Sequence, residues 1–224
     1  MTENEFSDSL MWMVITAGAG VPLPLLAKKT AEQGFSGLEF AIGVPGTIGG
    51  AVYGNAGAFG QEIKDILKSV RIVMKETDWK IAELSNKMCE FSYRDSVFKR
   101  HKDWIILSAV FTLKKDSKEN CEKRMMKMLK DKTTNQPMGE RAAGSIFKNP
   151  PGRSAWRLIE EAGMRGHSIG GARVSAKHAN YIVNTGEATS ADFAALIKLI
   201  KESVMEKCGV RLEEEIQYVG FRDS

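Results

Sequence analysis

The chain has 224 residues, of which 43% are hydrophobic and 27% charged, and its 32 basic and 28 acidic side chains leave a net charge of +4. That length suits one or two domains with a proper core, and the composition is that of a globular chain, which excludes disordered and fibrous classes. The small positive excess does not mark a nucleic-acid binder; it fits an anionic small molecule or an ordinary solvated surface.

Cys89, Cys121 and Cys208 are odd in number and widely spaced, which excludes a disulfide framework and a zinc site and suits a reducing cytosol. His101, His167 and His178 lack metal-ligand spacing, so no metal is expected. The acidic, polar start MTENEFSDSL is unlike a secretory signal. The apolar run MWMVITAGAGVPLPLLA is broken by Gly18, Gly20, Pro22 and Pro24, unlike a membrane span. The expectation is a cytoplasmic protein with neither a membrane nor a nucleic-acid partner.

In chain order, residues 11–17 predict a strand entering a Gly-Ala-Gly turn, and residues 22–33 a helix with Gly34 just past its end. Residues 69–74 predict a strand and the following Thr77-Asp78-Trp79 a hairpin turn. WIILSAVFTL (104–113) is the clearest strand, ended by Lys114 and Lys115. A charged, methionine-rich stretch then leads into a helix over 120–130, with Met125, Met126 and Met128 as core filling. This change of character places a domain boundary near residue 115, dividing the chain into 1–114 and 115–224. Residues 154–162 predict a helix capped by Ser154 and stopped by Gly163. Residues 190–208 predict another, with Phe193, Leu196, Ile197, Ile200 and Val204 on one face, Thr189 or Ser190 as cap and Gly209 as stop. Residues 211–219 alternate as a final strand. The whole is mixed α and β, in two parts.

The segment GVPGTIGGAVYGNAGAFG (43–60) poses a sharper question, because glycine at this density costs backbone entropy. It is not a P-loop, since no Gly-Lys-Ser/Thr follows. Nor is GAGVPL (18–23) a dinucleotide fingerprint, since Leu23 stands where the third glycine belongs. A glycine-rich backbone can still wrap a pyrophosphate with bare N–H groups, with Asn55 as the one strongly hydrogen-bonding side chain; the alternative is a tightly packed turn without a ligand.

GLEFAIGVPGTIGGAVYGNAGAFGQEI (37–63) resembles the flavin-binding segment of the UDP-N-acetylenolpyruvoylglucosamine reductase family. FSYRDSVFK (91–99), AGSIFKNPPG (143–152), KHANYIVNTGEAT (177–189) and GVRLEEEIQYVG (209–220) are similar to that family's remaining signatures, in the same order. The short interval after Arg94 resembles the compact subtype, without an inserted substrate-capping segment. The resemblance implies an α+β fold: the second lobe of a vanillyl-alcohol-oxidase/PCMH-type FAD-binding domain, then a smaller α/β C-terminal substrate-binding domain. It implies FAD and NADPH as cofactors and UDP-N-acetylglucosamine enolpyruvate as substrate, reduced to UDP-N-acetylmuramate for peptidoglycan.

By the same resemblance Arg94 is the catalytic arginine, whose guanidinium suits a carboxylate and the negative charge that develops beside it. Ser145 is the proton donor and Glu215 the catalytic glutamate. Among Glu213, Glu214 and Glu215, strand alternation puts Glu213 and Glu215 on one face, so register alone leaves these two open. Gly43, Val44, Pro45, Gly46, Thr47, Gly49, Gly50, Ala51, Asn55, Ala56 and Gly57 are the implied cofactor-binding residues. Tyr93, Lys148 and Asn149 are the implied substrate contacts, and His178 and Asn180 are assigned structural or flavin-edge roles. Nothing before Ala17 resembles the family's N-terminal FAD-binding lobe. The expectation is therefore a FAD-binding domain incomplete at its start, as a truncated gene product, a split protein whose first lobe is supplied in trans or a trimmed chain, with an exposed apolar face on MWMVITA. The alternative is a truncated, non-catalytic remnant or nucleotide-sugar-binding fragment.

Overall fold

The protein is described by a computed structural model covering residues 11–75 and 78–220. Contacts divide it into two units, one running to Asp131 and the other starting at Lys132.

The first unit begins with β1 (Trp12–Gly18), α1 (Leu23–Glu32) and β2 (Phe35–Ser36). Leu23, Ala27, Thr30 and Ala31 are the buried residues of α1, the helical spacing that gives it one apolar face. Gly34 ends it at φ +76°, and a Cβ there would stand 2.6 Å from the Asp116 carbonyl, so both conformation and packing require glycine. Within the glycine-rich stretch lies a helix that patterning did not reveal, α2 (Ile48–Tyr53), followed by the two-residue strands β3 (Gly57–Ala58) and β4 (Gln61–Glu62).

Then come β5 (Leu67–Met74), β6 (Lys80–Ser85) and β7 (Trp104–Lys115). The antiparallel order is β1-β7-β5-β6, with β2 also on β7. Of the expected hairpin turn, Thr77 lies outside the described residues, while Asp78 and Trp79 take left-handed φ values of 58° and 62°. Ala109, Phe111 and Leu113 of β7 face a core that holds Phe40, Ile48, Val52, Ile72 and Phe98. On the other face Trp12 and Val14 are 50% and 56% exposed, so MWMVITA does present an apolar surface.

The helix α3 (Lys118–Asn135) is longer than the sequence suggested and runs across the division. Its first half belongs to the first unit, because Cys121 and Met125 pack with Ala31 and Arg124 pairs with the buried Glu39. The division thus falls about a helix length after residue 115, which marks only the end of β7. Met125 and Met128 fill the core as expected, but Met126 is 59% exposed.

The second unit holds β8 (Ala142–Ser145), α4 (Ala155–Glu161), β9 (Ser168–Ile169), β10 (Ala172–Val174), β11 (Tyr181–Asn184) and α5 (Ser190–Cys208). Its sheet runs β8-β11-β10-β9, all antiparallel. Leu196, Ile197, Ile200 and Val204 of α5 are fully buried, each worth about 1.5–3 kcal/mol of apolar transfer as an upper bound. Thr189, not Ser190, caps α5: Thr189 and Asp192 form a reciprocal capping box, and Gly209 closes the other end at φ +65°.

At α4, Ser154 sits in the cap position without a side-chain bond. The predicted final strand over 211–219 reduces to one bridge, Glu214 against Phe147, because these residues meet only a short extended stretch after β8.

Candidate active site

In the first unit, the glycine-rich segment is pinned to the turn after β1. The Ile48 N–H donates to the Val21 carbonyl (2.9 Å), the Gly49 N–H to the Ala19 carbonyl (2.9 Å), and the Leu23 N–H to the Gly46 carbonyl (2.9 Å). Gly18-Ala19-Gly20 therefore lies beside Gly46–Gly50. The sequence reading set GAGVPL aside as a failed fingerprint; its glycines gain meaning only through this contact.

Two of the glycines are explained by packing. A Cβ on Gly49 would press on Ala19 at 3.1 Å, and one on Gly57 would meet the Gln61 carbonyl at 2.6 Å and Glu62 Cγ at 2.7 Å. Gly46 needs its φ of +119°. Gly18, Gly20 and Gly50 are different: none has a positive φ, and a Cβ would meet nothing within 4 Å at Gly18 or Gly20, and only Thr47 Oγ1 at 3.8 Å at Gly50. The fold does not demand glycine there. What these positions share is bare backbone, which lets a flat or anionic group approach closely.

The eleven predicted cofactor positions accordingly separate. Pro45, Gly46, Thr47 and Gly50 form an exposed rim, while Gly43, Val44, Gly49, Ala56 and Gly57 are half-buried. Ala51 is core. Thr47 Oγ1 accepts from the Gly50 N–H (3.4 Å) and caps α2. Asn55 is fully buried at a left-handed φ of 43°. Its amide donates to Glu62 Oε2 (3.0 Å) and the Ser92 carbonyl (2.8 Å), and its carbonyl accepts from the Lys64 N–H (3.0 Å). The Asn55 side chain thus orders the cradle from behind instead of facing outward.

Arg94 sits at the tip of a tight turn in which Ser92 and Asp95 exchange backbone bonds of 3.2 Å. Its φ of 57° is left-handed, a strained conformation for a bulky residue that is common at functional sites. Arg94 Nη2 donates to the Gly57 carbonyl (2.7 Å), Nη1 lies 3.8 Å from Glu62 Oε1, and the guanidinium stacks 5.0 Å from the ring of Tyr93, itself 43% exposed. Ser96 Oγ donates to the Tyr53 carbonyl (2.6 Å), a further tie to the glycine segment. Glu62 was missed in the sequence; nothing in an isolated Gln-Glu pair signals an acid that touches both Asn55 and Arg94. We expect Gly57→Ala to destabilise the protein by about 1–3 kcal/mol through overpacking and to displace Arg94, whose Nη1 would lie 3.2 Å from the new Cβ; chemical denaturation checks the first effect.

In the second unit Ser145 ends β8 directly opposite Tyr181 on β11, and a register shift follows. Opposed residues on antiparallel strands share a face, so the Ser145 and Tyr181 side chains lie side by side. Tyr181 Oη donates to Gln136 Oε1 (3.0 Å). The Glu215 N–H donates to the Ile146 carbonyl (2.8 Å), which brings Glu215 alongside. Burial pushes the Tyr181 phenol above its ordinary range, the Ser145 bond pulls it down, and the Glu215 charge adds to the rise.

The three consecutive acids are separated by partner. Glu213, 72% exposed at its side chain, pairs with Lys148 (2.5 Å), and Glu214 pairs with Lys201 (2.8 Å). Glu215 is the one whose charge bears on the Tyr181 phenol. Asn149 Oδ1 accepts from the Ala155 N–H (2.9 Å) and so caps α4, the task the sequence gave to Ser154. Asn180 is buried and exchanges two hydrogen bonds with the Phe147 backbone (2.9 and 2.8 Å), a structural role. His178 stacks edge-on against Tyr181 at 5.0 Å, its Nδ1 is buried without a hydrogen bond, and burial together with the Arg165 charge lowers its pKa.

Residues 136–219 match a family model described as the C-terminal domain of UDP-N-acetylenolpyruvoylglucosamine reductase, and residues 6–80 match a FAD binding domain. The UDP-N-acetylenolpyruvoylglucosamine reductase of Caulobacter vibrioides is 44% identical over 206 residues, 92% of this chain and 68% of that protein. That of Bacillus pumilus is 43% identical over 206 residues, covering 92% and 67%. Among solved structures, UDP-N-acetylenolpyruvylglucosamine reductase from Thermus caldophilus superposes with a TM-score of 0.79 at 36% identity, covering 91% of this chain and 71% of that one. The chain thus spans about two thirds of the length of the relatives it matches.

Proposed function

The chain belongs to the UDP-N-acetylenolpyruvoylglucosamine reductase family, a family of oxidoreductases, and from that premise we propose that it reduces UDP-N-acetylglucosamine enolpyruvate to UDP-N-acetylmuramate for peptidoglycan synthesis. FAD would be the bound cofactor and NADPH the reductant. When bound and reduced, the flavin supplies the hydride; the remaining work falls to this chain's own groups. Hydride addition to the enolpyruvyl double bond leaves negative charge shared with the adjoining carboxylate. The Arg94 guanidinium offers two N–H donors suited to that carboxylate, and its hold on the Gly57 carbonyl fixes its direction. Ser145 gives the proton that completes the saturated carbon, and Glu215 borders the donor. Tyr93, Lys148 and Asn149 are assigned to the substrate side.

The observation that carries the cofactor assignment is the bare backbone at Gly18, Gly20 and Gly50, glycines that neither φ nor packing requires. It separates two effects that usually travel together. Gly18→Ala and Gly50→Ala should leave stability unchanged or raise it by about 0.4–1 kcal/mol, through lost unfolded-chain entropy, while weakening flavin retention. Visible absorbance of the purified protein and a denaturation curve check both; a loss of stability in step with flavin loss would remove the argument.

The half-exposed Trp12 and Val14 support a further element of the reading, that another FAD-binding lobe packs on this unit. We place the reaction in the cytoplasm, in keeping with the free thiols of Cys89, Cys121 and Cys208. Among the described residues no helix is long and apolar enough to cross a membrane.

A further inference from the structure

Behind Ser145 stands a chain of hydroxyls that the proposed proton transfer does not by itself use. The Tyr181 proton is directed to Gln136 Oε1 (3.0 Å), which leaves the phenol oxygen as an acceptor for the Ser145 hydroxyl that faces it across the two strands. Before the transfer the order is serine to tyrosine to glutamine. Gln136 stands in the loop after α3, and Tyr181 and Ser145 face one another across two strands, so three separate segments converge on one line of hydrogen bonds. His178 packs edge-on against the Tyr181 ring at 5.0 Å, which holds the phenol in place.

We propose that Tyr181 is a positioning and relay residue, aiming the Ser145 hydroxyl and returning a proton to the seryl oxygen after Ser145 has protonated the substrate. This rests on the reading of Ser145 as the proton donor. The step balances. The hydride forms one new C–H bond as the carbon–carbon π bond is consumed, and the electron pair so released takes the Ser145 proton to form the second. The seryl O–H breaks, the Tyr181 hydroxyl turns from Gln136 to the seryl oxygen and gives up its proton there, and the phenolate is reprotonated by solvent. A phenol, with a reference pKa of about 10, is a far stronger acid than an aliphatic hydroxyl, so the second transfer runs downhill. The relay answers a difficulty in the first step: a serine hydroxyl alone is a poor acid, and its conjugate base needs an immediate proton source.

Groups facing the phenol include Glu215, whose negative charge opposes phenolate, and His178, kept neutral by burial and the Arg165 charge. Burial first, and then the Glu215 charge, favour the protonated phenol between turnovers, the state a proton source requires.

Two measurements test this, and one needs no turnover. The chain has four tyrosines, so carbon-13 at the phenol Cζ gives four resonances, with Tyr181 identified by its loss in Tyr181→Phe. In Ser145→Ala the Tyr181 resonance should shift and its titration midpoint rise, because the donor that favours phenolate is gone. Tyr53, Tyr93 and Tyr218 should stay put. An unchanged Tyr181 signal overturns the proposal.

The second measurement follows reoxidation of the reduced flavoprotein by UDP-N-acetylglucosamine enolpyruvate. Tyr181→Phe keeps the ring and should slow this half-reaction by about 10–100-fold, less than loss of the acid itself, with flavin reduction by NADPH unchanged. Gln136→Leu, which removes the phenol's acceptor and leaves the ring untouched, should slow the same half-reaction. If Ser145→Ala is crippled while both variants match the wild type, the relay is wrong and the Ser145 reading stands. If Ser145→Ala itself matches the wild type, the underlying reading has failed.

Discussion

Ser145→Ala should lower the rate at which substrate reoxidises the reduced enzyme by about 10²–10⁴-fold, the usual contribution of a positioned general acid. Flavin reduction by NADPH should stay within about twofold of wild type, because that step involves no proton from Ser145. The asymmetry follows from position. Ser145 ends β8 after Gly144, whose φ is +88°, and faces Tyr181 across the strands, with the Glu215 backbone bonded to the next residue, Ile146. Rapid-mixing absorbance under anaerobic conditions separates the two half-reactions. Equal loss in both would mean that Ser145 acts on the fold or the cofactor and not on the proton. Ser145→Cys, which retains a donor, should recover part of the lost rate.

Arg124→Ala should cost about 2–4 kcal/mol of stability, near the lower part of the range for breaking a buried ion pair because Arg124 is itself 40% exposed at its side chain. The loss comes from Glu39, only 3% exposed, which would keep the Gly37 N–H (2.6 Å) but lose both guanidinium bonds, at 3.0 and 2.7 Å. Arg124 also bridges to Asp116 (2.7 Å), whose carboxyl Asn120 and Arg124 hold down at about 2. Replacing both partners, as in Glu39→Leu with Arg124→Met, should recover most of the loss, since no buried charge is left unpaired. Urea midpoints at constant slope provide the measurement.

The same pair has a pH signature. Burial raises the Glu39 pKa, but bonds from Gly37, Arg124 and Ser36 outweigh it, so the folded carboxyl is more acidic than its ordinary value of 4.5. Its stabilisation is therefore complete above about that value and is lost as pH falls through the lower folded value. Arg124→Ala should flatten this acid limb.

Much of the architecture was legible because local rules decided it. The spacing of Leu196, Ile197, Ile200 and Val204, with Thr189 before and Gly209 after, specifies α5 without any partner. WIILSAVFTL could hardly be anything but a strand. The short strands β8 to β11 were not legible, since two to four residues carry no period of their own and are held by pairing across loops. The same holds for α2, whose Ile-Gly-Gly-Ala start argues against a helix until Thr47 caps it and Ala19 and Val21 accept its first N–H groups.

For the site, the sequence by itself supplied the candidates, an arginine, a serine and a glutamate singled out by the order of the motifs that carry them. Only the tertiary structure decided what each one touches. It turned Asn55 inward onto Glu62 and Ser92, gave Asn149 to the start of α4 and Lys148 to Glu213, and separated Glu215 from its two acidic neighbours. It also set Gly18 and Gly20 beside Gly50, and Tyr181 behind Ser145. The physical reason is range. Propensity and periodicity act over a few neighbouring residues, whereas a contact between residues 36 or 85 positions apart, as for Ser145 with Tyr181 or Arg124 with Glu39, exists only after the chain has closed on itself.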